Sequence, residues 1–406
     1  MISLEFIRDN RKWLGAGALL TFLSSFGQTF FISLFAGEIQ AEFDLTEGQW
    51  SRIYGIGTMV SAIIMVRAGA LTDSYRTRSL GVFVLGGLAV ACLAMAFNPI
   101  ASGLILVILL LRLFGQGMAS HTAVVAMSRW FVATRGRALA ISTLGFTCGE
   151  MLLPISFVAL MGFVDWRVLW IVAAFVALLG IPLLSTLLRE ERHPKQVAEE
   201  TQALGMDATH WNRRQVLRHP LFWLMIPALL GPSAFNTAFF FYHVLYADVI
   251  GWSHLELVFF FPIYTSMGIV AMILSGIAVD RWGSARTMPL YQLPMIASFV
   301  CFAFGGSTSV LLLGFFFLAA TSGANSTIPN AFWAEFYGTR YIGSIKAMAS
   351  AVMVLGSAIG PALIGVFLDF GVELRTQYFF VAGFFGLTTL LMWVGITRYR
   401  DRLRYT

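Results

Sequence analysis

The sequence predicts an all-α membrane protein: twelve transmembrane helices in two pseudo-symmetric six-helix bundles, with both termini cytoplasmic. Three observations predict it: a shortage of charge, a train of apolar runs of spanning length, and an internal repeat. Only 12% of the 406 residues are charged and 58% are hydrophobic, with a mean hydropathy of +0.78. Soluble domains carry roughly 25% charged residues, so water cannot solvate this surface and lipid must cover it. The net charge of +6 does not point to nucleic acid, because the basic residues sit in short clusters between apolar runs.

The runs fall near residues 13–36, 50–71, 79–97, 101–128, 138–161, 167–188, 220–247, 255–279, 287–306, 309–333, 346–367 and 376–397. At 1.5 Å per residue most can cross a core of roughly 30 Å. The backbone must satisfy its own hydrogen bonds in lipid, so these runs are helices. The alternating segments of a β-barrel are absent. The first run follows Arg8, Arg11 and Lys12 and leads straight into the next, so it reads as a retained span. Cys92, Cys148 and Cys301 lie inside runs, without metal-ligand or disulfide spacing, and read as small buried hydrophobes.

Orientation follows from Lys and Arg. Arg52, Arg67 and Arg112 lie in spans, and Arg167 and Arg375 in loops of one set. All other basic residues occupy the termini and alternate loops of the opposite set. The termini and the polar segment 189–219 are therefore cytoplasmic. That segment divides an N-terminal bundle, 1–188, from a C-terminal bundle, 220–406, and reads as a linker, with 196–204 as a candidate surface helix. The loop 37–49, with four acids and no Lys or Arg, lies outside.

A shift of 207 residues superposes the halves. It carries Gly69 onto Gly276, Asp73 onto Asp280, Gly136 onto Gly343 and Pro154 onto Pro361, each pair at equivalent topological points. Parallel repeats of this kind describe one large class of secondary transporter. After the second span stands Gly69-Ala70-Leu71-Thr72-Asp73-Ser74-Tyr75-Arg76, repeated from Gly276 to Asp280 and Gly283. These segments resemble the signature of the major facilitator superfamily, with Arg76 where the family carries Gly.

The resemblance covers essentially the whole chain. It implies a secondary transporter, with Gly69, Asp73, Arg76, Gly276 and Asp280 in a cytoplasmic gate and Arg135 and Arg137 as its partners. The two glycines would allow close helix contact. The fifth span carries Gly145-x-x-x-Gly149 followed by Glu150, where the family's antiporter motif has proline; this departure argues against drug efflux. Arg135-Gly136-Arg137-Ala138 is similar to the oxalate/formate and monocarboxylate branches. Their basic residues in the eighth and eleventh helices are missing here, so their substrate residues do not carry over.

Charge inside a span is expensive and marks function. Glu150 lies about 18 Å into the fifth span and Arg112 about 17 Å into the fourth, both near the midplane of adjacent antiparallel helices, where they can meet. The 207-residue shift places Ala319 opposite Arg112 and Ser357 opposite Glu150, so the scaffold alone does not require them. Arg112 is the candidate for an anionic substrate group, and Glu150, His121 and His243 for proton coupling. A structural ion pair is the competing reading. Gln28, Asn236, Asn325 and Asn330 are polar candidates for the substrate site, in the helices that line the family's cavity.

No hydrolase, phosphate-loop or zinc-protease motif occurs. The expectation is therefore no enzyme and no cofactor: a gradient-driven, proton-coupled symporter taking up a small organic anion such as a carboxylate. Proton-driven efflux of amphipathic or cationic compounds is the first alternative, and a ligand sensor without flux the second. The partners expected are a small-molecule substrate, protons and the lipid bilayer, with no nucleic acid. The family implies a monomer, and the setting expected is a bacterial inner membrane.

Overall fold

Residues with special backbone preferences set where these helices bend and touch. In a computed structural model, residues 4–69, 71–131, 135–190, 204–338 and 340–403 are described; their regular structure is all helical, with no strand among them. Nine helices are long and apolar enough to cross a membrane among the described residues. A tenth forms if Glu5–Gly27 and Thr29–Phe43, bent by 47° at one break, count as one span.

The second and ninth predicted positions are helical but fall outside that set. Glu47–Ala68 is diluted by Glu47, Arg52 and Arg67. Leu293–Phe304 is cut to 12 residues because the chain turns just before it, with Pro294 in its first turn. The stretch 196–204 falls almost wholly outside the described residues.

Two compact units emerge, Met1–Glu199 with His243–Leu245 and Glu200–Tyr242 with Tyr246–Thr406. In the first unit Leu4–Leu23 packs on Arg135–Met161, Glu47–Ala68 on Gly103–Leu111, and Thr77–Ala96 on Trp166–Leu187. In the second, Pro220–Phe241 packs on Ile342–Asp369, Phe261–Trp282 on Thr308–Asn325, and Leu293–Phe304 on Leu374–Tyr399. The partnering is the same in both: first with fifth, second with fourth, third with sixth.

Glycine makes the first-with-fifth seam possible. A Cβ on Gly145 would collide with the Ala18 carbonyl and one on Gly149 with Ser25 Oγ. The approach lets Thr21 Oγ1 donate to the Ser142 carbonyl at 2.5 Å. In the second unit a Cβ on Gly356 would stand 2.7 Å from the Leu230 carbonyl, and one on Gly360 would collide with that of Ala234. There Ser233 Oγ donates to the Met353 carbonyl. Small residues four apart thus bring backbones together without a hydrophobic driving force in lipid.

Proline creates the next requirement. Pro232 has no N–H, which leaves the Ala228 carbonyl without its helical donor. Gln292 Nε2 supplies one at 2.5 Å and Tyr291 Oη another at 3.2 Å. Thr388 Oγ1 in turn donates to Gln292 Oε1 at 2.8 Å. This network is buried, with Gln292 and Thr388 at 0% exposure.

Candidate functional site: a buried arginine at a broken helix

In the first unit the leading helix ends as a 3-10 turn, Ser24–Gly27. Gln28 is extended, and helix resumes at Thr29–Ile32. The fourth span is also irregular, because Arg112–Ala119 winds as a π-helix. The two irregularities meet. A Cβ on Gly27 would collide with the Leu111 carbonyl and lie 2.7 Å from Gly115 Cα; one on Gly115 would lie 2.6 Å from Gly27 Cα. Only glycine at both positions permits this approach, and π-bulges gather at functional sites.

The approach positions Arg112, which is 1% exposed. Its Nη1 donates to Thr29 Oγ1 at 3.2 Å and to the Gly27 carbonyl, freed by the break, at 3.4 Å. Its guanidinium carbon lies 5.5 Å from the Tyr54 ring centroid, and Tyr54 Oη shares a 2.6 Å hydrogen bond with Thr29 Oγ1. Nε and Nη2 are buried without a hydrogen-bond partner. The guanidinium is therefore not hydrogen-bonded to Glu150, and the pairing that their depths suggested is not formed. Helix depth sets height in the membrane, whereas the direction of the side chain decides contact. Glu150 is half-buried, one residue after the seam glycine Gly149.

The other candidates scatter. Gln28 sits at the break itself, half-buried. His121 Nε2 stands 3.4 Å from where a Gly69 Cβ would be. His243 is fully buried at the start of His243–Ile250. In the second unit Asn236 follows Pro232 by one turn, and its Oδ1 is buried without a partner. Asn325 Oδ1 accepts from Tyr291 Oη at 3.4 Å. Asn330 is exposed and donates to the Ser326 carbonyl at 2.8 Å. These asparagines flank the break between Thr308–Asn325 and Ile328–Tyr337.

The motif segments also differ from expectation. For Asp73 and Arg135 only the helical backbone is described. Arg76 and Asp280 are exposed. Nothing stands within 4 Å of a Gly276 Cβ, so this glycine makes no close approach. The acid engaged at the second motif is Glu335, whose Oε2 accepts from the Ser284 backbone N–H at 2.9 Å. In the first unit Arg129 Nη1 reaches the Thr72 carbonyl at 3.0 Å. Of the cysteines, Cys92 is buried, Cys301 half-buried and Cys148 exposed.

Sequence reasoning missed Thr29, Tyr54, Gln292 and Glu335. A hydroxyl beside Gln28 and a tyrosine among apolar residues were available as signals for the first two, but only folding brings them to Arg112. No group of three His, Cys, Asp or Glu able to hold a metal occurs among the described residues.

A sequence model of the Major Facilitator Superfamily matches residues 17–361. No curated protein sequence matches significantly. Among solved structures, the inward-facing, unoccupied bacterial homologue of the human lysosomal transporter Spinster superposes with a TM-score of 0.73 at 13% identity, over 98% of each chain. The nucleoside transporter NupG superposes with a TM-score of 0.69 at 14% identity, over 98% of this chain and 99% of its own.

Proposed function

This chain belongs to the Major Facilitator Superfamily and is a multi-pass membrane transporter, not an enzyme; from that premise we propose that it takes up a small organic anion in symport with protons. One observation carries the reading. Arg112 is a buried guanidinium with no carboxylate hydrogen-bonded to it and two donors unused. A central arginine costs about 3 kcal/mol even by the mildest membrane scale. An unpaired buried charge is retained at such a cost where a ligand supplies the counter-charge.

Glu150, half-buried on the neighbouring fifth span, is the proton-coupling carboxylate in this reading. Protonation would remove its charge when substrate and proton move together. Gln28 at the break contributes a polar contact to substrate in this reading. Asn236, with its unpartnered Oδ1, Asn325 and Asn330 are held as polar candidates of the second unit, and His121 and His243 as further protonatable groups. Gly69, Asp73, Arg76, Gly276 and Asp280 are assigned to the cytoplasmic gate. The proposal includes twelve spans, cytoplasmic termini, a bacterial inner membrane and a monomer, on the distribution of Lys and Arg and the family's habit.

The test is uptake by the reconstituted protein under an imposed pH gradient. Anion uptake driven by an inward proton gradient, lost in Arg112→Gln and uncoupled from pH in Glu150→Gln, is the expected result. Uptake of amines by exchange with protons, unaffected by Arg112→Gln, would replace this reading with efflux antiport. Glu150→Gln with an unchanged pH dependence would remove the coupling role.

A further inference from the structure

Resting on the anion reading above, we propose that the ligand of Arg112 is a monoanionic carboxylate, held side-on by Nε and Nη2. The unused donors are not an arbitrary pair. In a guanidinium, Nη2 lies on the same side as the Nε–H, so these two nitrogens form one edge with parallel N–H bonds. That edge matches the two oxygens of a single carboxylate. The third nitrogen, Nη1, is committed to Gly27 and Thr29.

The edge is also fixed in place. Nη1 is tied to a carbonyl that the helix break exposes and to a hydroxyl that Tyr54 holds at 2.6 Å. The Tyr54 ring stands against the guanidinium. Turning another edge toward a ligand would break both Nη1 bonds. The fork is therefore preorganised, which lowers the entropy lost on binding.

Charge sets the ligand's valence. Arg112 is the only Lys, Arg, Asp or Glu among the buried described residues. The repeat offers no second cation, because Ala319 occupies the equivalent position and is itself buried. With Glu150 protonated, as in symport, a monoanion brings the site to neutrality. A dicarboxylate or other dianion would leave one negative charge uncompensated in an apolar interior, which is costly. A lysine in place of Arg112 would restore the charge without the fork.

The experiment is ligand-induced thermal stabilisation of the purified full-length chain at neutral pH. The probes are straight-chain monocarboxylates, the matching α,ω-dicarboxylates, sulfate and the matching primary amides. Expected is stabilisation by monocarboxylates alone, with apparent affinity lower by about tenfold or more in Arg112→Lys. Dicarboxylates or sulfate binding as well as monocarboxylates would overturn the single-charge fork while leaving an anion site standing. Unchanged monocarboxylate affinity in Arg112→Lys would also overturn the fork. Amides stabilising the protein as well as the acids, or no stabilisation by any anion, would remove the anion reading itself. Where Arg112→Lys does not fold, the wild-type series decides alone.

Discussion

The two units use the same helix partnering, yet they differ where a ligand would matter. In the first, the leading helix breaks at Gly27–Gln28, the fourth span opens into a π-helix, and a buried arginine joins them. In the second, Pro220–Phe241 runs unbroken through Ala234, the residue equivalent to Gly27, and Ala319 replaces Arg112. Pro232 of that helix is accommodated by a closed network of Gln292, Tyr291 and Thr388 on the Ala228 carbonyl. The comparison teaches that the scaffold needs neither the break nor the charge. What distinguishes the first unit is a fully buried charge with donors unused, and what distinguishes the second is a neutral, satisfied network at its proline.

Exchanging the two positions breaks the comparison most severely. Ala319→Arg, which buries a charge without an exposed carbonyl to receive it, is expected to cost about 3 kcal/mol or more, read as a loss of thermal stability. Arg112→Met is expected to leave stability within about 1 kcal/mol of wild type, since it removes an uncompensated charge. Its substrate affinity should fall by roughly a hundredfold. If Arg112→Met unfolds the protein instead, the arginine is a structural staple.

The helix break gives the next largest effect. Gly27→Val has no room against the Leu111 carbonyl and Gly115, and should cost about 3 kcal/mol by overpacking. Ala234→Gly, at the equivalent point of a continuous helix, should cost only about 1 kcal/mol. Thermal unfolding of the two variants reads the difference, and equal losses would mean that the Gly27–Gly115 approach is not selective for glycine.

A smaller contrast separates Arg167 and Arg375, which stand in the first turns of Trp166–Leu187 and Leu374–Tyr399. Arg167 reaches Glu42 as an ion pair at 2.5 Å and the carbonyls of Ala96 and Asn98 at 2.8 Å. Arg375 has a buried Nε without a partner. Arg167→Ala should cost about 1–2 kcal/mol, mainly through the lost carbonyl bonds, since the ion pair is partly exposed. Arg375→Ala should fall within about 0.5 kcal/mol of wild type. The same thermal assay checks both, and a larger loss at Arg375 would reverse the contrast.

The smallest expected effect is a pH dependence carried by His219 of the second unit. His219 lies before the Pro220–Phe241 helix, packed against Trp211, Tyr337 and Tyr399. Burial holds its pKa below the ordinary value; Arg402 adds to this and Asp207 opposes it. The folded protein then binds fewer protons than the unfolded chain just below the ordinary histidine pKa of about 6.5. The stability contributed by the neutral ring is complete above that pH and is lost as pH falls toward the folded value. Melting temperature should therefore decline more steeply below about pH 6.5 in wild type than in His219→Gln, and parallel curves would refute it.

The all-helical membrane fold was legible because it follows from quantities that sum along a chain: charge content and the length of apolar runs. The repeat was legible because glycine, proline and aspartate mark backbone requirements that both copies share. Distance along a helix follows from a fixed rise per residue, and this singled out Arg112 and Glu150. The sequence could not say which way their side chains point. That depends on helix rotation, on the π-turn that begins at Arg112, and on a break whose geometry needs Gly27 and Gly115 to meet across 88 positions of chain. Tertiary structure alone therefore decided that Arg112 bonds a carbonyl and Thr29 rather than Glu150, and that Glu335 rather than exposed Asp280 binds the Ser284 N–H. Periodicity fixes what a helix contains and how far it reaches, but hydrogen-bond partners are chosen only when separate helices fix one another's rotation.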